Sequence, residues 1–249
     1  MKKGALIVAG VFLALIAASF IMGLIRDATE KPSEFFSDAT TLALAEAVIA
    51  NDAARVEALI ADGASLETQG IDGVTLLQWR ILRGDIGRFK WLLDLGADPD
   101  AQGWHGETAM HLAAQHQNIG YLRAALDHDG NPNVLNTRRG RTPLFNAMDT
   151  RRQENVELLL ERGADIHFAD RSGTQPLLHA ARIINSDAVV LLLKMGADPN
   201  ATDQSGANFQ SSFFRANPAI MNRKALRDRG WVTTFLEERG IPVVDPHLR

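Results

Sequence analysis

The 249 residues include no cysteine. That absence excludes disulfides, thiolate metal sites and a cysteine nucleophile together. It also excludes a lipid-modified cysteine behind the apolar amino-terminal run. No His-Glu-x-x-His pair, no phosphate loop of the GxxxxGK[ST] kind and no GxSxG elbow occurs either. A positive surplus is missing as well. The net charge is −4, and residues 1–27 carry three basic and one acidic side chain, so the remainder stands at about −6. General nucleic-acid binding relies on cationic surface, and this balance argues against it.

What the sequence has is a period. Gly63, Gly96, Gly130, Gly163 and Gly196 recur at intervals of 33, 34, 33 and 33 residues, and Gly73, Gly106, Gly140, Gly173 and Gly206 follow ten residues behind them. Two phases locked near 33 residues describe an array of one small supersecondary unit. Each first-phase glycine closes an apolar run, as in Leu92-Leu93-Asp94-Leu95-Gly96 and Leu192-Leu193-Lys194-Met195-Gly196. A glycine there adopts the left-handed cap that ends a helix. Before the stops lie the stripes Val56, Leu59, Ile60; Phe89, Leu92, Leu93; Val156, Leu159, Leu160; and Val189, Leu192, Leu193. Each gives one second helix a single apolar face. The 34-residue interval is read as one extra residue in Leu126-Asp127-His128-Asp129-Gly130, after the stripe Leu122, Ala125 and Leu126. Thr75, Thr108 and Thr142, with Gln175 and Asn208 in phase, are placed to cap the first helices.

The motifs Thr142-Pro143-Leu144, Thr108-Ala109-Met110-His111-Leu112-Ala113-Ala114 and Gly196-Ala197-Asp198-Pro199-Asn200 resemble those of the ankyrin repeat family. The likeness covers roughly residues 38 to 210. It implies an all-α solenoid of about six helix-turn-helix units with β-hairpin-like loops. The expected units are 38–66 (an amino-terminal cap), 71–100, 104–133, 138–166 and 171–200, with an irregular carboxy-terminal cap over 204–249. About eleven residues are inserted before Gly240, and Pro218 is expected to start an extra helix through Arg229. A functional insertion is the other reading of that stretch. Of the histidines, His111 alone holds the family's position, which implies hydrogen bonding within the turn network.

From Gly4 to Ile25 there is no charged residue. As a helix these residues span roughly 33 Å, enough for a hydrocarbon core of about 30 Å. Lys2 and Lys3 precede the run, and the positive-inside bias keeps residues 1–3 in the cytoplasm. The expectation is a signal-anchor over 4–25, a polar tether over 26–37 and an array in the periplasm of a bacterial host. A cleaved signal peptide is the rival, with Ala17-Ala18-Ser19 as small residues, although Phe20 to Ile25 extends the apolar run past them.

No chemistry emerges from the polar residues. His111 and His116 are five apart, off a common helical face. Asp98, Asp165 and Asp198 repeat in phase, which fits local turn bonding. A hydrolase within the carboxy-terminal cap would rest on Asp228, Glu237 or Glu238 and is not expected. The sequence therefore predicts no enzyme, cofactor, metal or small-molecule substrate. It predicts a protein-binding surface on the residues that vary between repeats. Those are the loop tips Trp104, His105, Arg138, Arg139 and Arg171, with Trp79, Asn146 and His179 on the concave helix face. Tryptophan and arginine are over-represented among residues that dominate interfaces. The partner is another protein: either a periplasmic enzyme that is scaffolded or regulated, or an antibacterial effector (a lipase or cell-wall hydrolase) that an immunity protein would occlude.

Overall fold

The computed structural model describes residues 31–247, so the predicted span 4–25 lies outside the described residues. Among those described, no helix is long and apolar enough to cross a membrane. The chain divides into two compact units, one ending at Ala97 and one starting at Asp98.

The first unit holds α1 (Ala39–Ala50), α2 (Ala53–Ala61), α3 (Leu76–Leu82) and α4 (Ile86–Asp94). Each starts on a side chain that accepts from an otherwise unpaired first-turn N–H: Asp38 from Thr41, Asp52 from Arg55, Thr75 from Gln78 and Asp85 from Arg88. At Thr75 the exchange is mutual, since the Gln78 Oε1 accepts from the Thr75 N–H at 3.2 Å. Thr75→Ala is therefore expected to cost about 1 kcal/mol, read as a lower urea midpoint, whereas Thr75→Ser restores it. Arg88 ties α4 to the end of α1 by donating to the carbonyls of Val48 (3.0 Å) and Ile49 (2.6 Å).

The segment before α1 departs from the expected tether. In its described part, Pro32–Glu34 forms a 3₁₀ turn and Phe36 is fully buried. Phe36 meets the Trp79 ring edge-on at 5.3 Å, and the Phe35 carbonyl accepts from the Ile71 N–H. Two adjacent phenylalanines have more to gain from burial than a polar link does.

The second unit pairs α5 (Ala109–Gln115) with α6 (Gly120–Asp127), α7 (Pro143–Asp149) with α8 (Gln153–Glu161), and α9 (Pro176–Arg182) with α10 (Ser186–Lys194). Helix α5 packs on α7, α7 on α9, and α9 on α11 (Gln210–Phe213), which makes one layer. Helices α8, α10 and α12 (Arg223–Glu237) follow each other in a second. The predicted stripes are the ones buried between them: Leu122, Val156, Leu159, Val189 and Leu192 are all inaccessible.

Three readings are corrected here. The loops are hairpin-like only in their closing hydrogen bonds, such as Asp170 N–H to the Thr174 carbonyl at 3.0 Å, and no strand forms among the described residues. Pro218 opens a 3₁₀ turn that ends at Ile220; extended backbone at Met221 stops it, and Asn222 caps the separate, 15-residue α12. The extra residue of the long interval lies elsewhere than predicted. The left-handed stop after α6 is Asp129 (φ 61), not Gly130, so the helix ends in regular phase. Gly130 is kept for space, since a Cβ there would meet the Met110 sulfur at 2.6 Å. The additional residue then falls in the next hairpin, where four residues separate Asn136 from its closing partner Arg141 and three separate Asp170 from Thr174.

Candidate functional site

That longer hairpin carries Arg138 and Arg139. The Asn136 side chain accepts from the Arg139 N–H at 2.9 Å and the Arg141 N–H at 3.2 Å, which fixes the turn from inside. Asp170 does the same in the next hairpin, accepting from Ser172 and Thr174, so that Arg171 stands at its tip.

Successive tips are joined by backbone hydrogen bonds. Thr137 N–H donates to the Gly106 carbonyl at 2.9 Å, Arg171 N–H to the Arg139 carbonyl at 3.1 Å, and Gln204 N–H to the Ser172 carbonyl at 3.2 Å. Glycine at 106 permits the first link, because its φ is +73° and a Cβ would lie 2.0 Å from the Thr137 hydroxyl. The result is a continuous edge on which Trp104, His105, Arg138, Arg139 and Arg171 follow one another. Arg138, Arg139, Arg171 and His105 are exposed, while Trp104 is half-buried with its ring 4.5 Å from that of His105. Among the described residues none of the three arginines has a carboxylate within ion-pair distance, and Arg171 instead donates to the Arg138 carbonyl.

The other three predicted residues are not brought to this edge, and their assignment to an exposed concave face is corrected. Trp79 is wholly buried in the first unit, against Phe35, Phe36 and the Arg80 guanidinium 3.6 Å over its ring. His179 is buried with its Nε2 2.7 Å from Asp149 and its ring against Phe145. Asn146 is half-buried and donates to Glu107 at 3.3 Å. Trp79 and His179 thus serve packing inside the fold, whereas Asn146 keeps part of its surface accessible.

Behind the tips runs a polar network. Glu107 accepts from Asn136 as well as Asn146; burial raises its carboxyl pKa, against the lowering effect of those bonds and of the Arg138 and Arg139 charges. His111 is buried between the Thr108 hydroxyl (2.8 Å) and the Arg141 carbonyl (2.9 Å), in the turn network expected for it. Desolvation holds its pKa down at about 4. Arg141 continues the chain to Asp170 at 2.9 Å. Among the described residues no three His, Asp or Glu side chains form a group able to hold a metal ion.

Sequence reading missed a cleft of about 380 Å³ beside the carboxy-terminal insertion, lined by Arg151, Ile184, Phe213, Arg215, Met221 and Lys224 among others. One sequence signal pointed to it: Ile184 falls in phase with Gly84, at a turn where isoleucine is out of place.

Comparison with known proteins adds the following. A family model for ankyrin repeats (3 copies) matches residues 44–136, 81–170 and 122–203. The crystal structure of the ankyrin repeat domain of Bcl-3, a unique member of the IkappaB protein family, is 32% identical over 80% of this chain and 86% of its own, with a TM-score of 0.64. That of EF0377, an ankyrin repeat protein, is 27% identical over 79% and 96%, with a TM-score of 0.61. No curated protein is matched.

Proposed function

This chain belongs to the ankyrin repeat family, and from that premise we propose a membrane-anchored, periplasm-facing protein that binds a partner protein and scaffolds or regulates it. Ankyrin repeats form protein–protein interaction modules, and the coarse part of the reading rests on that. The anchor is supported by the uncharged run 4–25 and the two lysines before it.

The observation that carries the binding surface is the row of exposed arginines, Arg138, Arg139 and Arg171, on tips held by main-chain bonds. Rigid presentation lowers the entropic cost of association. Exposed guanidinium groups with no carboxylate in ion-pair contact, on an otherwise acidic chain, select a partner with acidic groups at matching spacing. An immunity protein occluding a lipase or cell-wall hydrolase would use the same edge. Its distinguishing result is protection of cells that receive such an effector in the periplasm.

The test is in-cell crosslinking and pull-down of the anchored chain against Arg138→Ala/Arg139→Ala/Arg171→Ala. Capture of a periplasmic partner is expected to fall by at least about tenfold in the variant, and to weaken with added salt in the wild type. Equal capture by both proteins would remove the edge from the reading. Recovery of cytoplasmic proteins alone would overturn the topology.

A further inference from the structure

The turn between the two helices of a repeat passes through the left-handed region at Asn51 (φ 57), Gly84 (φ 71), Arg151 (φ 54) and Ile184 (φ 56). Asparagine and glycine suit that backbone; a β-branched side chain is strained in it. Strain can be tolerated when burial compensates, yet Ile184 is 66% exposed. Neither the backbone nor the core explains why isoleucine stands there. The fold requires the left-handed backbone here but not a β-branched side chain on it, and residues strained in this way concentrate at functional sites.

Ile184 lines the cleft of about 380 Å³ together with Phe213, Met221, Arg151, Arg215 and Lys224. Arg151, itself at the strained position of the preceding repeat, donates to the carbonyls of Ile183 (2.9 Å) and Ile184 (3.0 Å) and so braces this turn. Those acceptors are neutral, which leaves the Arg151 charge uncompensated. Arg215 is exposed and has no carboxylate partner among the described residues. The remaining cations at the mouth are matched: Lys224 by Asp187 and Asp228, and Arg182 by Asp203. An apolar floor flanked by two unmatched arginines remains. The 3₁₀ turn and the start of α12, which regular repeats lack, supply Met221 and Lys224 to it.

We propose that this cleft docks a short acidic peptide segment of a partner protein. A large aliphatic or aromatic side chain seats on Ile184, Phe213 and Met221, and flanking Asp or Glu carboxylates reach Arg151 and Arg215. The volume suits one or two such side chains, and the charge is complementary. The site shares no residue with the hairpin-tip edge, so failure of one reading leaves the other standing.

The probe is acetyl-Glu-Leu-Phe-Asp-amide, titrated into the full chain in lipid nanodiscs with isotope-labelled Ile and Met methyl groups. Saturable shifts are expected at Ile184 and Met221. The neutral twin acetyl-Gln-Leu-Phe-Asn-amide and the variant Arg215→Ala should each bind about tenfold more weakly. Ile184→Asn supplies the discriminating result: its melting temperature should rise by about 2–4 °C as strain is relieved, while peptide binding drops by about tenfold. A lower melting temperature would assign Ile184 to the fold and overturn the proposal. So would equal binding of the two peptides, absence of saturable shifts, or saturation by laurate but not by peptide.

Discussion

Replacing Arg229 by alanine is expected to cost about 3–5 kcal/mol, the range for breaking a buried ion pair from one side. The side chain is 7% exposed and donates to the carbonyls of Phe214 and Ala216 at 3.2 Å each. It also pairs with Asp245, whose carboxylate is 3% exposed, and lies 4.9 Å over the Phe214 ring. One guanidinium therefore holds α11, the inserted turn, α12 and the chain end together. Its loss leaves the buried Asp245 carboxylate with no cation and only the His247 N–H donating to it, and two carbonyls without their side-chain donor. The double variant Arg229→Met/Asp245→Leu should recover much of the loss, because it removes the stranded charge as well. In a repeat array the damage should stay local. Hydrogen exchange should accelerate through α12 while α7 and α8 keep their protection; uniform loss would mean that the terminal cap does not unfold separately.

The array was legible where the sequence repeats itself. Val156, Leu159 and Leu160, or Val189, Leu192 and Leu193, recur at helical spacing before a left-handed stop, and they are the residues found buried. The same reliance on recurrence explains the errors. Counting from glycine to glycine put the extra residue near Asp129, because a glycine can serve two purposes and Gly130 serves the second. The correction matters, since the hairpin so lengthened is the one that carries Arg138 and Arg139.

The site was legible as positions more than as environments. Tip residues were placed correctly because the hairpin phase is strict, but exposure depends on neighbours the period does not contain. Trp79, Asn146 and His179 share one phase, yet Phe35 and Phe36 bury the first and Asp149 engages the last. The carboxy-terminal cap offered no repeat to reason from. Its keystone, Arg229, and its cleft arise from contacts between segments far apart in sequence.

Between pH 7 and pH 4 the protein should lose stability through His111, by roughly 3 kcal/mol for that group alone. Its pKa lies at about 4 in the fold against 6.5 for a free side chain, because burial disfavours the cation. The Nδ1 faces the N–H and the hydroxyl of Thr108, so the neutral ring accepts there and donates from Nε2 to the Arg141 carbonyl. At intermediate pH the unfolded chain binds the proton and the folded one does not. Stability is therefore fully present above about 6.5 and is lost as pH falls toward 4. Asp100, raised to about 6 by burial, and Glu107, also raised, act in the opposite direction, so the wild-type curve alone would understate the histidine. His111→Gln isolates it. Gln78 already fills the equivalent place in the first unit, exchanging hydrogen bonds with Thr75. Glutamine at 111 can keep the exchange with Thr108, and losing the bond to Arg141 should cost about 1 kcal/mol near neutral pH. The urea stability curves of the two proteins should then cross, with the variant weaker at pH 7 and stronger at pH 4; curves that stay parallel would show that the buried imidazole is not the group that titrates.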